Sequence, residues 1–185
     1  MTQNLGVWYR TVQSPGQGSD IAPHFPRMAK LVADHDVRAV LELGVREGHS
    51  TACWLYHVAG RGQVWGVDLE WLLPPRSRLN PIVGNDLDPD VFAQTPDVVD
   101  LLFIDSSHAY DHTRQELAMY GPKVRPGGVI VLHDTQNEHP EDMNPAIPPQ
   151  DAFPVRRAMI EYAETHGYVW DEDPASWGLG VVYVT

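Results

Sequence analysis

The sequence predicts an α/β domain built on a doubly wound, mostly parallel β-sheet. Short, continuous apolar runs bounded by polar or turn residues recur along the chain, as expected of strands that are covered on both faces. Segments with helical spacing lie between these runs, so that strand and helix alternate. The chain has 185 residues, which is enough for one domain with a substantial core, and we expect residues 1–185 to form a single domain.

The first third of the chain predicts an arm, a helix, a strand and a second helix. Residues 1–22 show little periodicity and contain several Gly and Pro residues, which predicts an irregular arm. Apolar residues at helical spacing predict a helix over residues 23–35, and an apolar run predicts a strand over residues 37–43. After a glycine-containing turn, a second helix is expected over residues 50–58, ending at Gly60.

The middle of the chain predicts two further strands separated by a loop. Residues 63–69 form the second predicted strand, with Asp68 near its end. Two consecutive prolines exclude a long helix within residues 70–80, which we expect to be a loop. A short third strand near residues 81–83 and a small helix over residues 89–94 complete this part.

The segment of residues 98–135 organises the rest of the prediction. It reads as an apolar strand ending at Asp105, a polar helix, a Pro-Gly-Gly turn and a second apolar strand ending at His133 and Asp134. Because a helix joins the two strands, they are expected to be parallel and adjacent, so their carboxyl ends meet at the same edge of the sheet. Open α/β sheets bind their ligands at that edge.

The C-terminal part predicts a loop, a helix and two closing strands. Residues 136–154 are rich in Pro, Asn, Asp and Glu, and we expect them to form a long loop that contacts the substrate. An amphipathic helix over residues 155–166 ends at Gly167. Residues 168–171 and 179–184 are expected to close the sheet as an antiparallel pair.

Composition excludes several classes of partner. The formal net charge of −12 argues against a nucleic-acid partner and against an anionic membrane surface, since both need clustered Lys and Arg. No apolar segment predicts a signal peptide or a membrane span, so we expect a cytoplasmic protein. Cys53 is the single cysteine, which excludes an intrachain disulfide and favours a buried structural thiol.

A glycine-containing turn follows the first predicted strand. Its pattern is Glu42-x-Gly44-x-x-x-Gly48, and Arg46 stands where a dinucleotide fingerprint needs its second glycine. Glycines let a ligand approach the backbone, and the following helix offers unpaired N–H groups. Asp68, at the end of the next strand, suits the two hydroxyls of a ribose. The turn therefore predicts a nucleoside-containing cofactor.

A second group of polar residues follows the two strands of residues 98–135. Asp105, His133 and Asp134 are expected to meet at the edge of the sheet, with His108 close by on the intervening helix. Each aspartate alone could be a helix cap, and His133 could bond a backbone carbonyl. Two carboxylates and an imidazole at adjacent strand ends favour a metal site over these structural roles.

The first turn, Asp68 and the segments IDSSHAY and RPGGVIVLHDT together resemble class I S-adenosylmethionine-dependent methyltransferases. This resemblance implies a Rossmann-like sheet with an antiparallel strand near the C-terminus. It implies that the glycine turn lines the methionine end of S-adenosylmethionine, that Asp68 holds the ribose and that Leu69 contacts the adenine. The cofactor-binding residues implied by the resemblance are Glu42, Gly44, Gly48, Asp68, Leu69, Asp86, Asp105 and Ser106.

Within that family, the chain is most similar to the branch of metal-dependent sugar and macrolide O-methyltransferases and proteins labelled cephalosporin hydroxylases. The resemblance implies that Asp105, His133 and Asp134 hold a divalent cation that binds the substrate hydroxyls. Magnesium or manganese is the expected ion. The imidazole of His133 suits a softer metal better than magnesium, unless the carboxylates and the substrate hold the ion without it.

The sequence offers two candidates for the general base, His108 and His112. Where the sugar enzymes carry an acid two residues after the first metal ligand, this chain has Ser107. His108 occupies the position of the basic lysine of catechol O-methyltransferases, and its ordinary pKa of about 6.5 suits proton transfer. His112, one helical turn further, is the alternative base.

The sequence thus predicts an O-methyltransferase that acts on a small hydroxylated molecule, such as a sugar or a secondary metabolite. A metal-dependent hydroxylase or oxygenase with a two-histidine, one-carboxylate iron site is an alternative, as is a non-catalytic protein that binds S-adenosylmethionine. A homodimer, in which a second subunit helps to complete the substrate pocket, is also compatible with the sequence. Any of Trp71, Trp170 and Trp177 could stack on a substrate ring, although loop aromatics more often serve packing.

Overall fold

A seven-stranded sheet forms the centre of the molecule. The computed structural model describes residues 4–13, 19–58, 60–137 and 153–185. The strands are β1 (Ala39–Leu43), β2 (Gln63–Asp68), β3 (Leu79–Val83), β4 (Val99–Ile104), β5 (Val124–His133), β6 (Val169–Asp173) and β7 (Leu179–Tyr183). They follow the order β3-β2-β1-β4-β5-β7-β6, and β7 runs antiparallel to both of its neighbours. The predicted fold class is confirmed.

Helices cover both faces of the sheet. They are α1 (Leu5–Val12), α2 (Phe25–Asp34), α3 (His49–His57), α4 (Pro89–Phe92), α5 (Tyr110–Tyr120) and α6 (Pro154–His166). Short 3-10 turns over Ala22–His24 and Gly121–Lys123 precede α2 and β5. Side chains that alternate along the central strands separate the core into two layers, because successive residues of a strand face opposite sides. Val40 and Phe103 pack with α1, α2 and α3, whereas Leu41 and Ile104 pack with α4, α5 and α6.

Strand register brings the functional strand ends together. β1 lies between β2 and β4, so the order of the strands reverses between β1 and β4. Leu43 of β1 pairs with Ile104 of β4, which in turn pairs with Leu132 of β5. Asp105 and His133, the next residues along β4 and β5, therefore lie beside each other. Ligands of α/β sheets bind at such a reversal point, outside the carboxyl ends of the strands.

The N-terminal segment contains a helix, so the prediction of an irregular arm was wrong for Leu5–Val12. The side-chain oxygen of Asn4 accepts the N–H of Gly6 at 2.9 Å and caps the helix. Trp8 and Val12 are buried on the face that packs against α3. Eight residues give only two helical turns, which is too little periodicity to recognise in a sequence.

The Pro-Gly-Gly segment lies inside β5, where the sequence predicted a turn before the strand. Val99 of β4 pairs with Val124 of β5, whereas Leu101 pairs with Val129. Between these two pairs, β4 advances by two residues and β5 by five. The extra residues of β5 form an irregular bulge that contains Gly127 and Gly128.

The other predicted elements are present, with ends shifted by a few residues, and β3 takes the last two residues of the predicted loop over residues 70–80. For the predicted substrate loop over residues 136–154, residues 138–152 lie outside the described part of the chain. Among the residues that the structure does describe, every helix is too short or too polar to cross a membrane.

Candidate active site

A cavity of about 350 Å³ opens at the carboxyl ends of β1 to β4. Six of the eight residues predicted to bind the cofactor line it, and the two others, Glu42 and Gly48, do not. The complete lining is Gly44, Arg46, Val67, Asp68, Leu69, Gly84, Asn85, Asp86, Asp105, Ser106, Ser107 and His112. The sequence thus predicted half of the lining, and the cavity is large enough for a nucleoside-containing ligand.

Gly44 is required by the close approach of two strand ends. Its φ of 84° lies in the left-handed region. A Cβ at this position would overlap the carbonyl oxygen of Asp105 and would lie 2.8 Å from the nitrogen of Ser106. Gly48 also has a positive φ, of 76°, at the start of α3, where a Cβ would lie 2.9 Å from the indole of Trp8. Both glycines of the turn therefore have a steric reason to be glycine.

Asp68 orders the turn between β1 and α3. Its Oδ2 accepts the backbone N–H groups of Val45 and Arg46, each at 2.8 Å. Its Oδ1 accepts the N–H of Glu70 at the longer distance of 3.3 Å. One carboxylate oxygen is thus committed to the turn, and the more weakly bonded oxygen remains for a ligand hydroxyl in the cavity.

Glu42 is fully buried beneath the first turn of α3. It accepts hydrogen bonds from the hydroxyls of Ser50 and Thr51, the latter at 2.7 Å. Burial raises the pKa of its carboxyl to about 8, against the lowering effect of these two hydrogen bonds. The side chain fixes the start of α3 from below, and its predicted contact with the cofactor stays a prediction.

A buried polar group forms the far wall of the cavity. His112 of α5 donates from Nε2 to Asp86 at 2.8 Å, and the hydroxyl of Tyr120 donates to the Asp86 carbonyl. Ser106 donates to Glu116, whose other oxygen is buried without a hydrogen-bond partner. Sequence reasoning missed Glu116 because a glutamate at an inward-facing helical position looks like any surface residue of a polar helix.

The pKa values of the two carboxyl groups in this wall, Glu116 and Asp86, are shifted in opposite directions. Burial, together with the nearby Asp86 carboxylate, raises the pKa of Glu116 well above its ordinary value. Burial also disfavours the charged form of Asp86, but the hydrogen bonds and the charge interactions with its neighbours, those of His112 first among them, together outweigh it and lower the pKa of Asp86. The opposite directions of these two pKa shifts favour the negative charge on Asp86, beside His112, over Glu116.

The predicted metal residues do converge at the other side of Asp105. The Nδ1 atom of His133 lies 3.4 Å from Asp105 Oδ1 and 3.0 Å from Asp134 Oδ2. His108 Nε2 lies 3.8 Å and 3.1 Å from the same two oxygens. Asp105, His108 and Asp134 each offer one atom within 4.8 Å of the others, a spacing that a single ion could bridge. Asp86, His112 and Glu116 have similar spacing, but Glu116 is fully buried and does not line the cavity.

A second cavity of about 170 Å³ lies above these carboxylates. Asp105, His108 and Asp134 line it together with the turn after β1, whereas His133 is buried behind them. Of His108 and His133, His108 is thus the one that faces open space. The assignment of His133 as a metal ligand and that of His108 as the base both stay predictions.

The carboxylates of Asp105 and Asp134 raise the pKa values of His108 and His133. Burial alone would lower the pKa of each histidine, but hydrogen bonds to Asp105 and Asp134 raise the pKa of His108 to about 9 and that of His133 to about 10. The pKa of Asp134 is lowered despite burial, because both histidines bond to it. Without a cation, protons on the imidazoles neutralise the carboxylates.

A third histidine, which sequence reasoning missed, lies behind His133. His24 is buried, and its ring meets that of His133 edge to face with centroids 5.8 Å apart. Its Nε2 donates to the carbonyl of Ser176 at 3.3 Å, and its Nδ1 lies 3.5 Å from Asp173. Nothing in the sequence links residue 24 to the ends of β4 and β5, because only the folded chain brings them together.

The sheet order, the glycine turn and the cavity at the strand reversal define an α/β protein that binds a nucleoside-containing cofactor at its carboxyl edge. The family can be stated more closely. Residues 41–135, about half of the chain, match the family described as a methyltransferase domain, and the chain belongs to this family. The family inferred from the sequence motifs is thereby confirmed.

Two curated relatives are similar to this chain over 123 residues, or 60% of its length. Demethylmacrocin O-methyltransferase of Streptomyces fradiae is 30% identical, and mycinamicin VI 2''-O-methyltransferase of Micromonospora griseorubida is 32% identical. The matches span 31% and 30% of those proteins, so the chain corresponds to about a third of their length.

Solved structures share the fold at lower identity. The MycE methyltransferase from the mycinamycin biosynthetic pathway, solved with Mg and SAH, has a TM-score of 0.69 at 21% identity, over 99% of this chain and 55% of that one. An O-methyltransferase from Bacillus cereus solved with SAH has a TM-score of 0.64 at 15% identity, over 99% of this chain and 92% of that one. These similarities support the Rossmann-like architecture.

Proposed function

We propose that this chain transfers a methyl group from S-adenosylmethionine to a hydroxyl of a small polyhydroxylated molecule, with the help of a divalent cation. One observation carries the proposal. The larger cavity and the smaller one share part of their walls, including Gly44, Asp105 and Ser106. A cofactor in the first cavity and a hydroxyl in the second would meet across these residues, which is the proximity that methyl transfer requires.

The residues of the larger cavity fit S-adenosylmethionine. Gly44 lines this cavity and carries no side chain, so the methionine end can approach its backbone. The Oδ1 atom of Asp68 can accept from a ribose hydroxyl, and Asp86 can accept from the amino group of the adenine. The cofactor supplies an activated methyl group on a positively charged sulfur, which the negative charge of Asp105 favours.

The donor set at the smaller cavity fits a divalent cation. Each of the imidazoles of His108 and His133 has a nitrogen within 3.0–3.8 Å of an oxygen of Asp105 and of Asp134. Magnesium or manganese suits the carboxylate oxygens, and a softer metal suits the imidazoles. A bound cation would orient the acceptor hydroxyl and lower its pKa. The relative solved with Mg supports this assignment.

Proton removal from the acceptor is assigned to His108. It faces the cavity, and it lies 3.1 Å from Asp134, whose carboxylate can stabilise the protonated imidazole. A pKa of about 9 keeps His108 protonated when only the two carboxylates surround it. A cation held by the same carboxylates would offset their charge, so His108 is expected to act as a base only in the metal-loaded protein.

The first test measures binding. Thermal unfolding is followed with S-adenosylhomocysteine, with NAD and with no ligand, each with Mg²⁺, Mn²⁺ or a chelator. A ligand at about 100 times its dissociation constant adds about 2.7 kcal/mol of stability. We expect stabilisation by S-adenosylhomocysteine and a further rise with metal. The metal effect should disappear in Asp105→Asn and persist in Asp34→Asn, a surface carboxylate paired with Lys30. Stabilisation by NAD alone would contradict the proposal.

The second test measures turnover. Methyl-labelled S-adenosylmethionine is incubated with demethylmacrocin, mycinamicin VI or catechol, and transfer of the label is followed with and without metal. Metal-dependent transfer distinguishes the enzyme from a non-catalytic binding protein. His108→Ala is expected to lower kcat by about 100-fold or more if His108 is the base, whereas His112→Ala should act mainly on cofactor affinity.

The oxygenase alternative is supported by one observation, the two histidines that flank Asp105 and Asp134. Such a set could hold iron. Oxygen consumption that depends on Fe²⁺ and not on S-adenosylmethionine would favour it. An oxygenase would leave the cavity beside Gly44 and Asp68 without a role, so we place methyl transfer first.

A further inference from the structure

The turn between β6 and β7 presents a tryptophan to solvent. Trp177 is 54% exposed, whereas Trp8 and Trp54 are buried. Trp71 and Trp170 are half-buried: Trp71 packs over Gly66, and the guanidinium of Arg156 lies over Trp170. A single exposed apolar residue needs no explanation by itself. The backbone conformation at Trp177, however, does need an explanation.

Three consecutive residues of this turn have left-handed backbone conformations. The φ angles are 46° at Ser176, 68° at Trp177 and 89° at Gly178. Glycine adopts such angles freely, but a bulky aromatic residue rarely does. The chain therefore holds Trp177 in an unfavourable conformation, and it does so at an exposed position where packing does not demand it.

Hydrogen bonds to two other segments, the one before α2 and the one after β5, keep the turn in this conformation. The hydroxyl of Ser176 donates to the carbonyl of Asp20 at 2.6 Å, and His24 donates to the carbonyl of Ser176 at 3.3 Å. The N–H of Gln136 donates to the carbonyl of Trp177 at 2.6 Å. Local strain that the surroundings enforce in this way is typical of functional sites.

The same contacts place the backbone of the turn near the smaller cavity. Leu179 pairs with His133 in the antiparallel ladder of β5 and β7, so the turn continues next to the residues that follow Asp134. Asp20, which accepts the bond from the turn, lines the smaller cavity together with Asp105, His108 and Asp134. The turn that carries Trp177 is thus bonded to a residue of the cavity wall, Asp20, through Ser176.

We propose that Trp177 binds the ring of the acceptor substrate, by stacking its indole on a six-membered ring whose adjacent hydroxyls face Asp105 and Asp134. The inference rests on the proposed function. An indole offers a large, rigid contact surface at low cost in conformational entropy, and it stacks on the C–H face of a pyranose or on an aromatic ring. Carboxylates and a cation recognise the hydroxyls, and Trp177 recognises the ring that carries them.

The test compares ring and open-chain ligands on the 185-residue chain with S-adenosylhomocysteine and Mg²⁺, and also with Mg²⁺ alone. Dissociation constants are measured by calorimetry for methyl α-D-mannopyranoside, catechol and the open-chain polyol xylitol. Trp177→Ala is expected to weaken binding of a ring ligand about tenfold, and Trp177→Phe, which keeps a ring, by less than about threefold. Affinity for xylitol should not change. The ring ligand that responds identifies the acceptor as a sugar or a catechol.

Val98→Ala is the matched control, because Val98 is 61% exposed and precedes β4 at the opposite edge of the sheet. It should leave every dissociation constant unchanged. Equal affinity of a ring ligand for the wild type and Trp177→Ala contradicts the inference, and so does failure of both rings to bind. A parallel loss of xylitol or S-adenosylhomocysteine affinity in Trp177→Ala also contradicts the inference, because the residue would then act through the shape of the turn and not by stacking on a ring. If the wild type fails to bind S-adenosylhomocysteine, the proposed function fails, while the Mg²⁺-alone titrations still decide the role of Trp177.

Discussion

At the scale of single residues, Gly44 shows how tightly the carboxyl edge is built. A Cβ there would overlap the carbonyl oxygen of Asp105, and φ at Gly44 is 84°. We expect Gly44→Ala to lower the free energy of unfolding by about 1–3 kcal/mol, since the change introduces both overlap and backbone strain. It should also weaken S-adenosylhomocysteine binding by about tenfold or more, measured by calorimetry, because Asp105 must shift.

Gly60→Ala separates the two causes. Gly60 has a similar φ of 79°, but a Cβ there would meet nothing within 4 Å. It should lose only the strain energy, about 1 kcal/mol, and keep its cofactor affinity. If both variants lose the same stability and neither loses affinity, the close approach of Gly44 to Asp105 has no functional consequence.

Glu42 makes stability depend on pH. Its pKa is about 8 in the folded chain, against an ordinary value of 4.5, because of burial. Between these values the folded state holds a proton that the unfolded state has lost, so the contribution of Glu42 to stability falls as pH rises. In Glu42→Gln this fall should be absent. In urea unfolding at pH 5, 6.5 and 8, the free energy of unfolding of the variant should rise relative to that of the wild type by up to about 1.4 kcal/mol per pH unit. Parallel curves would mean that Glu42 is charged in the folded chain.

At the scale of secondary-structure elements, helix α1 supports the glycine turn from outside the family match. Trp8 is buried between α1 and α3, its ring lies under the guanidinium of Arg76 at 3.9 Å, and its edge faces Gly48. We expect Trp8→Ala to cost about 3–5 kcal/mol in urea unfolding. Val7→Ala, on the exposed face of the same helix, should stay within about 0.5 kcal/mol. Equal effects of the two would show that α1 is not docked.

Strands and strand ends could be predicted because apolar runs are local and parallel topology fixes where the runs end. This is why Asp105 and His133 were expected to meet, and they do. Helix α1 was missed because two turns carry too little pattern. His24 and Glu116 were missed for a different reason. Each reaches the site from an element whose sequence says nothing about the strand it packs against, so only the tertiary structure reveals their contacts.

At the scale of the whole molecule, the two cavities and their common wall couple the cation to the cofactor. Asp105 lines both cavities, in a chain whose net charge is −12. S-adenosylmethionine carries a positive sulfur, whereas the sulfur of S-adenosylhomocysteine is neutral. A cation on Asp105 and Asp134 therefore repels the first ligand and not the second, and by reciprocity the first ligand weakens metal binding.

This coupling gives a final prediction. For charges of +2 and +1 separated by about 8 Å in water, Coulomb's law gives about 1 kcal/mol, or roughly a fivefold change in affinity. We expect Mg²⁺ to raise the ratio of the dissociation constants of S-adenosylmethionine and S-adenosylhomocysteine by about that factor in calorimetric titrations. Asp134→Asn should abolish the effect, because it removes one of the two carboxylates. A ratio that does not respond to Mg²⁺ in the wild type would place the cation away from Asp105, and the metal would then have no part in aligning the acceptor with the methyl group.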